Sequence, residues 1–180
     1  RVLEANELAV DEAYLSTPRH VAFPTSGDRT AHGWYYPPTN PDAVAPEGTS
    51  PPLVVMLHGG PTSQARTSLS LQRQAFTSRG FAVVDVEYGG STGYGRAFRD
   101  QLHEQWGVVD VDDCAAAATW LAEQGLADPK QLAIRGGSAG GYTTLAALCF
   151  KDVFGAGTSY FGLGDLEAFT DITHKFESRY

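Results

Sequence analysis

Residues 131–141 read Gln-Leu-Ala-Ile-Arg-Gly-Gly-Ser-Ala-Gly-Gly, and the helical run Tyr-Thr-Thr-Leu-Ala-Ala-Leu follows without a break at 142–148. An apolar strand that passes through Gly-x-Ser-x-Gly straight into a helix is the sequence form of a nucleophile elbow, a tight turn that holds a serine hydroxyl outward. Ser138 is that serine. The glycines two before and two after it, Gly136 and Gly140, remove Cβ atoms where strand and helix come closest. The helix aims its free N–H groups at the serine, which favours negative charge there, and the Ala139 amide is placed to donate to an oxyanion. The same letters also describe a glycine-rich loop before a buried helix, with Ser138 as an ordinary cap. The surrounding chain decides between the two.

Upstream, Leu53-Val54-Val55-Met56-Leu57 is a continuous apolar run of the kind covered on both faces of a parallel sheet, and it ends in His58-Gly59-Gly60-Pro61. A helix around 69–79 closes at Gly80, and Phe81–Val86 is the next buried strand, leading into the glycine-rich stretch 88–95. A second helix is expected from Asp110 to Glu123, then the strand 132–134, the elbow, a helix over 139–150 and a strand through 155–161. His20–Pro24 and Ala31–Tyr36 read as strands joined by a turn at 25–28, and the proline-rich stretch 37–52 reads as a surface loop. Strands alternating with helices at this spacing give an α/β fold with a mostly parallel sheet and helices on both faces.

Composition narrows the function classes. The chain has 180 residues, 42% of them hydrophobic, with a net charge of −8. That size suits one globular domain. The acidic balance and the lack of a basic run argue against nucleic acid or an anionic membrane surface as partner. The apolar stretches are strand-length, so neither a membrane span nor a secretory segment is read, and a cytoplasmic location is the default. The chain begins at Arg1, so a leader or an upstream domain would lie outside it. Cys114 and Cys149 fall in alanine-rich helical runs and are expected to be buried free thiols. Asp110, Asp112 and Asp113 are assigned to a helix N-terminus, and no metal or cofactor is called for. The stretch 89–95 lacks the spacing of a phosphate cradle and reads as a tight loop beside the site.

The loop after the first central strand supplies the second oxyanion donor in this architecture, a backbone N–H matching that of Ala139. His58 is better suited to fixing this loop by hydrogen bonds than to serving as the catalytic base. A serine nucleophile needs a histidine oriented by an acid. After Ser138 the chain offers Asp152, Asp165, Asp171 and one histidine, His174.

The ordered set His58-Gly59-Gly60-Pro61, Ser91-Thr92-Gly93-Tyr94-Gly95 and Gly136-Gly137-Ser138-Ala139-Gly140-Gly141-Tyr142 resembles the prolyl oligopeptidase family of serine peptidases. The run His174–Tyr180 resembles its acylaminoacyl-peptidase and dipeptidyl-aminopeptidase branch. The resemblance covers residues 18–180 and implies the N-terminal part of an α/β-hydrolase catalytic domain, incomplete at its C-terminal end. Residues 1–17 are then a connector from an upstream β-propeller that admits only short peptides. It implies Ser138 as nucleophile and the amides of Gly60 and Ala139 as the oxyanion hole. Leu166, Phe169 and Phe176, with Phe161, would help line an apolar pocket for the residue before the scissile bond, although hydrophobic core is an equal reading for any one of them. It also implies an acid and a histidine beyond Tyr180, which leaves Asp165 with His174 as a weaker local triad. Gly89 departs from the family pattern, which often carries arginine there.

The expected activity is that of a serine exopeptidase on short peptides, acting through an acyl-enzyme. A carboxylesterase shares the elbow and the oxyanion loop, and a non-catalytic hydrolase-like binding module fits the missing base. A polypeptide of residues 1–180 by itself is expected to be inactive and poorly soluble, because its last strand presents an unpaired edge.

Overall fold

The computed structural model describes residues 10–173. Along them run β1 (Arg19–Pro24), β2 (Thr30–Tyr36), β3 (Leu53–Leu57), α1 (Leu71–Thr77), β4 (Ala82–Glu87) and α2 (Arg96–Arg99). After these come α3 (Val109–Glu123), β5 (Leu132–Gly137), α4 (Ala139–Phe150), β6 (Ala156–Tyr160) and α5 (Leu166–Ile172). The strands form one sheet in the order β1-β2-β4-β3-β5-β6. The β1–β2 and β2–β4 pairs are antiparallel, while β4, β3, β5 and β6 run parallel.

The parallel centre is the part the apolar runs foretell: every residue of β3 and β4 is buried. Side chains alternate across the sheet. Leu53, Val55 and Leu57 join Val84 and Val86 in the larger core under α3 and α4. Val54, Met56 and Val83 point the other way and pack with Phe76 of α1. Helices therefore lie on both faces. Ala117 and Ala118 are fully buried on α3, where the short side chain lets the helix lie close to the strands.

Three sequence expectations change. The first helix begins at Leu71 rather than 69, because the Ser70 hydroxyl caps it by accepting from the Arg73 amide, and Leu69 lies outside, half exposed. Cys114 is buried as expected, whereas Cys149 is exposed, on the same outward row of α4 as Leu145, Leu148 and Phe150. Asp113 does not serve a helix end. It is wholly buried and accepts from Arg29 (2.7 Å), from the Thr25 hydroxyl (2.7 Å) and from the Gly89 amide (2.7 Å), tying α3 to the β1–β2 turn. Asp110 does sit in the first turn of α3, but its carboxylate bonds inward, to the Gly107 amide and the Thr143 hydroxyl of α4. Asp112 pairs with Lys151 at 2.5 Å.

The stretch before residue 18 also docks where residues 10–17 are described. Ser16 is buried, its amide donating to Gln74 Oε1 of α1 and its hydroxyl to the Pro37 carbonyl.

Candidate active site

Ser138 stands between β5 and α4 with φ 55° and ψ −122°, a conformation a non-glycine residue holds only under local strain. Its own backbone fixes it: the Ser138 amide donates to the Tyr160 carbonyl (3.0 Å), and its carbonyl accepts from the Tyr142 amide (3.1 Å). The side chain makes no capping hydrogen bond, and the residue is exposed. Among the described residues no hydrogen bond engages the hydroxyl, so Ser138 does not act as an ordinary side-chain cap of α4.

The turn is this sharp because glycines allow it. A Cβ on Gly136 would lie 2.3 Å from the Gly140 carbonyl oxygen, and one on Gly140 would lie 2.7 Å from that of His58. The elbow, the helix start and the loop after β3 are in contact at these two residues. That loop reaches the nucleophile itself: a Cβ on Gly59 would be 3.4 Å from Ser138 Cβ and 3.9 Å from its Oγ. Gly60 follows at φ 135°, where a side chain would press on the amides of Thr62 and Ser63 at 2.9 Å. Ala139 is the first residue of α4, so its N–H has no carbonyl to bond within the helix.

His58 is committed to the loop. Its Nδ1 lies 2.8 Å from the Gly59 carbonyl and its Nε2 2.8 Å from Ser91 Oγ, and the ring stacks on Tyr88 at 4.4 Å. A carbonyl only accepts, so Nδ1 carries the proton and Nε2 accepts from the Ser91 hydroxyl. Burial pushes the imidazole down to about 4, so the ring is neutral at physiological pH. The Tyr88 hydroxyl donates to the Pro61 carbonyl (2.8 Å), and the Thr92 amide to that of Ser63 (2.7 Å). The loops after β3 and β4 therefore brace each other. Among the described residues no histidine hydrogen-bonds Ser138.

The remaining sequence candidates are placed as follows. Leu166 and Phe169 are half-buried on α5, with Phe169 edge-on to Trp106 at 6.5 Å. Phe161 is exposed and lies over Gly137. Asp165 caps α5, its Oδ1 accepting from the Glu167 and Ala168 amides. Phe176 and His174 lie outside the described residues. At position 89 a Cβ would lie 2.6 Å from Val109 Cγ1 and 2.7 Å from Gln101 Oε1, so any side chain there, an arginine included, requires these neighbours to shift. The guanidinium beside that position belongs to Arg29, held by Asp113.

Comparison with known proteins follows this geometry. The model of the prolyl oligopeptidase family matches residues 67–180. The chain belongs to the prolyl oligopeptidase family. A puromycin-hydrolyzing peptidase of Mycobacterium tuberculosis superposes with a TM-score of 0.93 and 57% identity over all of this chain and 28% of that one. A puromycin hydrolase gives a TM-score of 0.91 and 52% identity over 96% of this chain and 26% of that one. Dipeptidyl aminopeptidase BIII of Pseudoxanthomonas mexicana is 38% identical over 64% of this chain and 17% of its own length. The chain thus spans about a quarter of the solved relatives and less than a fifth of the last. The family carries the α/β-hydrolase fold, and the sheet order, the elbow and the loop after β3 are its parts here.

Proposed function

We propose that this chain carries the nucleophile and oxyanion hole of a serine peptidase that hydrolyses short peptides. The observation that carries the reading is Ser138: strained, exposed, and in contact with the Gly59–Gly60 turn. In this reading Ser138 Oγ attacks the scissile carbonyl carbon and its proton passes to a histidine base. The amides of Gly60 and Ala139 hold the oxygen that becomes negative, and the amine leaves with the proton, giving an acyl-enzyme that water then hydrolyses. The neutral, doubly bonded His58 keeps the Gly59–Gly60 backbone in position and takes no proton. The base and its acid come from a part of the protein other than the described residues. Leu166, Phe169 and Phe176 are proposed to border the pocket for the residue before the scissile bond. Residues 1–17 are proposed as the connector to an upstream propeller that restricts substrates to short peptides.

The names of the relatives support aminopeptidase, dipeptidyl-peptidase or acylaminoacyl-peptidase action, and puromycin is a substrate to try. A fluorophosphonate probe is expected to label the full-length protein and to fail on Ser138→Ala, with kcat/KM falling about a millionfold. Assays with an aminoacyl anilide and a short acyl ester side by side separate peptidase from carboxylesterase. No labelling at Ser138 would defeat the reading.

A further inference from the structure

Glu87 ends β4 on the same edge of the sheet as Ser138, and no catalytic step above uses it. It is 3% exposed. Its Oε1 accepts from the Ala65 amide (3.1 Å), while Oε2 is buried without a well-formed hydrogen bond. The nearest base, His58 Nε2, is 3.8 Å from Oε2 and already accepts from Ser91, whose hydroxyl also lies within reach of the carboxyl. Among the described residues no lysine or arginine pairs with Glu87. The nearby Arg73 is held by Asp85 and two carbonyls.

The carboxyl faces a cavity of about 640 Å³ walled by His20, Trp34, Tyr94, Thr92 and the 64–68 segment, with the exposed Arg66 at its rim. The rings are fixed against one another. His20 meets Trp34 edge-on at 5.1 Å and holds the Tyr94 hydroxyl at 3.0 Å, and Tyr94 stacks on His32 at 4.2 Å. One buried acid among aromatic rings suits an organic cation, which gains from both the charge and the ring faces. A hard metal ion requires several oxygen ligands instead. Glu87 is linked to the turn that touches Ser138 by His58, 3.8 Å from Oε2, and by the adjoining Gly59.

We propose that the cavity floored by Glu87 and walled by His20, Trp34 and Tyr94 is a subsite for an organic ammonium group carried by the substrate. The inference rests on the peptidase reading for what carries that group. A peptide offers two sources, its amino terminus and a lysine side chain.

The test uses the full-length protein. Dipeptide anilides are compared in two pairs, one with a free or acetylated amino terminus and one with lysine or norleucine. Glu87→Gln is expected to lower the preference for the charged member of one pair by about tenfold or more, and the pair affected names the source. Benzylammonium, followed by calorimetry against benzyl alcohol as neutral control, is expected to bind the parent and to weaken equally in the variant. Should Glu87→Gln lose fluorophosphonate labelling, Tyr94→Leu is read by the same ratios, with the same fall expected. Unchanged ratios in a labelled variant, or benzylammonium binding no better than benzyl alcohol, overturn the subsite and leave the peptidase reading standing. A parent that never labels but binds benzylammonium through Glu87 does the reverse.

Discussion

Three buried ionisable residues set how the site region responds to pH. Burial holds the Asp110 carboxyl up at about 6, against an ordinary 3.8, although Thr143 and Gly107 both donate to it. An unfolded chain releases that proton first, so stability declines as pH rises from about 4 to 6. Glu87, raised by burial to about 7 from 4.5, acts in the same direction up to neutrality. His58 acts oppositely: held at about 4 rather than 6.5, it costs stability as pH falls through that window. Asp110→Asn keeps both partners, its amide donating to Thr143 Oγ1, whose own proton can go to the Ala139 carbonyl at 3.1 Å. The variant is therefore expected to be more stable than the parent at pH 8 and to lose the advantage at pH 5, read from urea midpoints. An equal offset at both pH values would contradict this. Gly60→Ala places a methyl group where φ is 135° and amides stand 2.9 Å away, so the turn must shift. On the proposed role of the Gly60 amide as an oxyanion donor, the expected result is a fall in kcat of about 100-fold or more, with KM little changed.

At the scale of elements, the site depends on how α3 is clamped. Asp113 receives Arg29, Thr25 and the Gly89 amide, linking the helix to the β1–β2 turn and to the loop after β4. Arg29→Ala leaves that carboxylate buried without its cation, and the expected cost is about 3–5 kcal/mol in denaturant unfolding of the full-length protein. A cost below about 1 kcal/mol would show that the pair contributes little. The same clamp brings Arg29 Nη1 within 3.1 Å of where a Cβ on Gly89 would stand.

At the scale of the whole molecule, the two edges of the sheet differ. The β1–β2 hairpin carries Phe23, Ala31 and Tyr35 into the core. Among the described residues β6 pairs only with β5 and is mostly exposed, and on one face beside it α4 turns out Leu145, Leu148 and Phe150. An open strand edge next to an apolar row promotes association. A polypeptide of residues 1–180 is expected to self-associate in sedimentation velocity, and Leu148→Lys with Phe150→Ser to reduce that. Monodisperse behaviour of the parent polypeptide would refute it. Among the described residues no helix is long and apolar enough to cross a membrane.

The sequence alone determined the parts governed by short-range chemistry. The continuous runs at 53–57 and 81–86 required burial on both sides, and Gly136-x-Ser138-x-Gly140 required a sharp turn, because these demands act between residues adjacent in the chain. The family resemblance rested on the same motifs. Contacts between distant residues needed the tertiary structure. That Gly59 touches Ser138, that His58 is neutral and bonded at both nitrogens, that Asp113 holds Arg29 and that Glu87 faces an aromatic cavity all follow from sheet order, which sets β3 between β4 and β5. The aspartates of 110–113 show the limit best. Their spacing fits a helix start, yet only packing against the sheet and α4 decides which are buried, because burial depends on neighbours that no local pattern records.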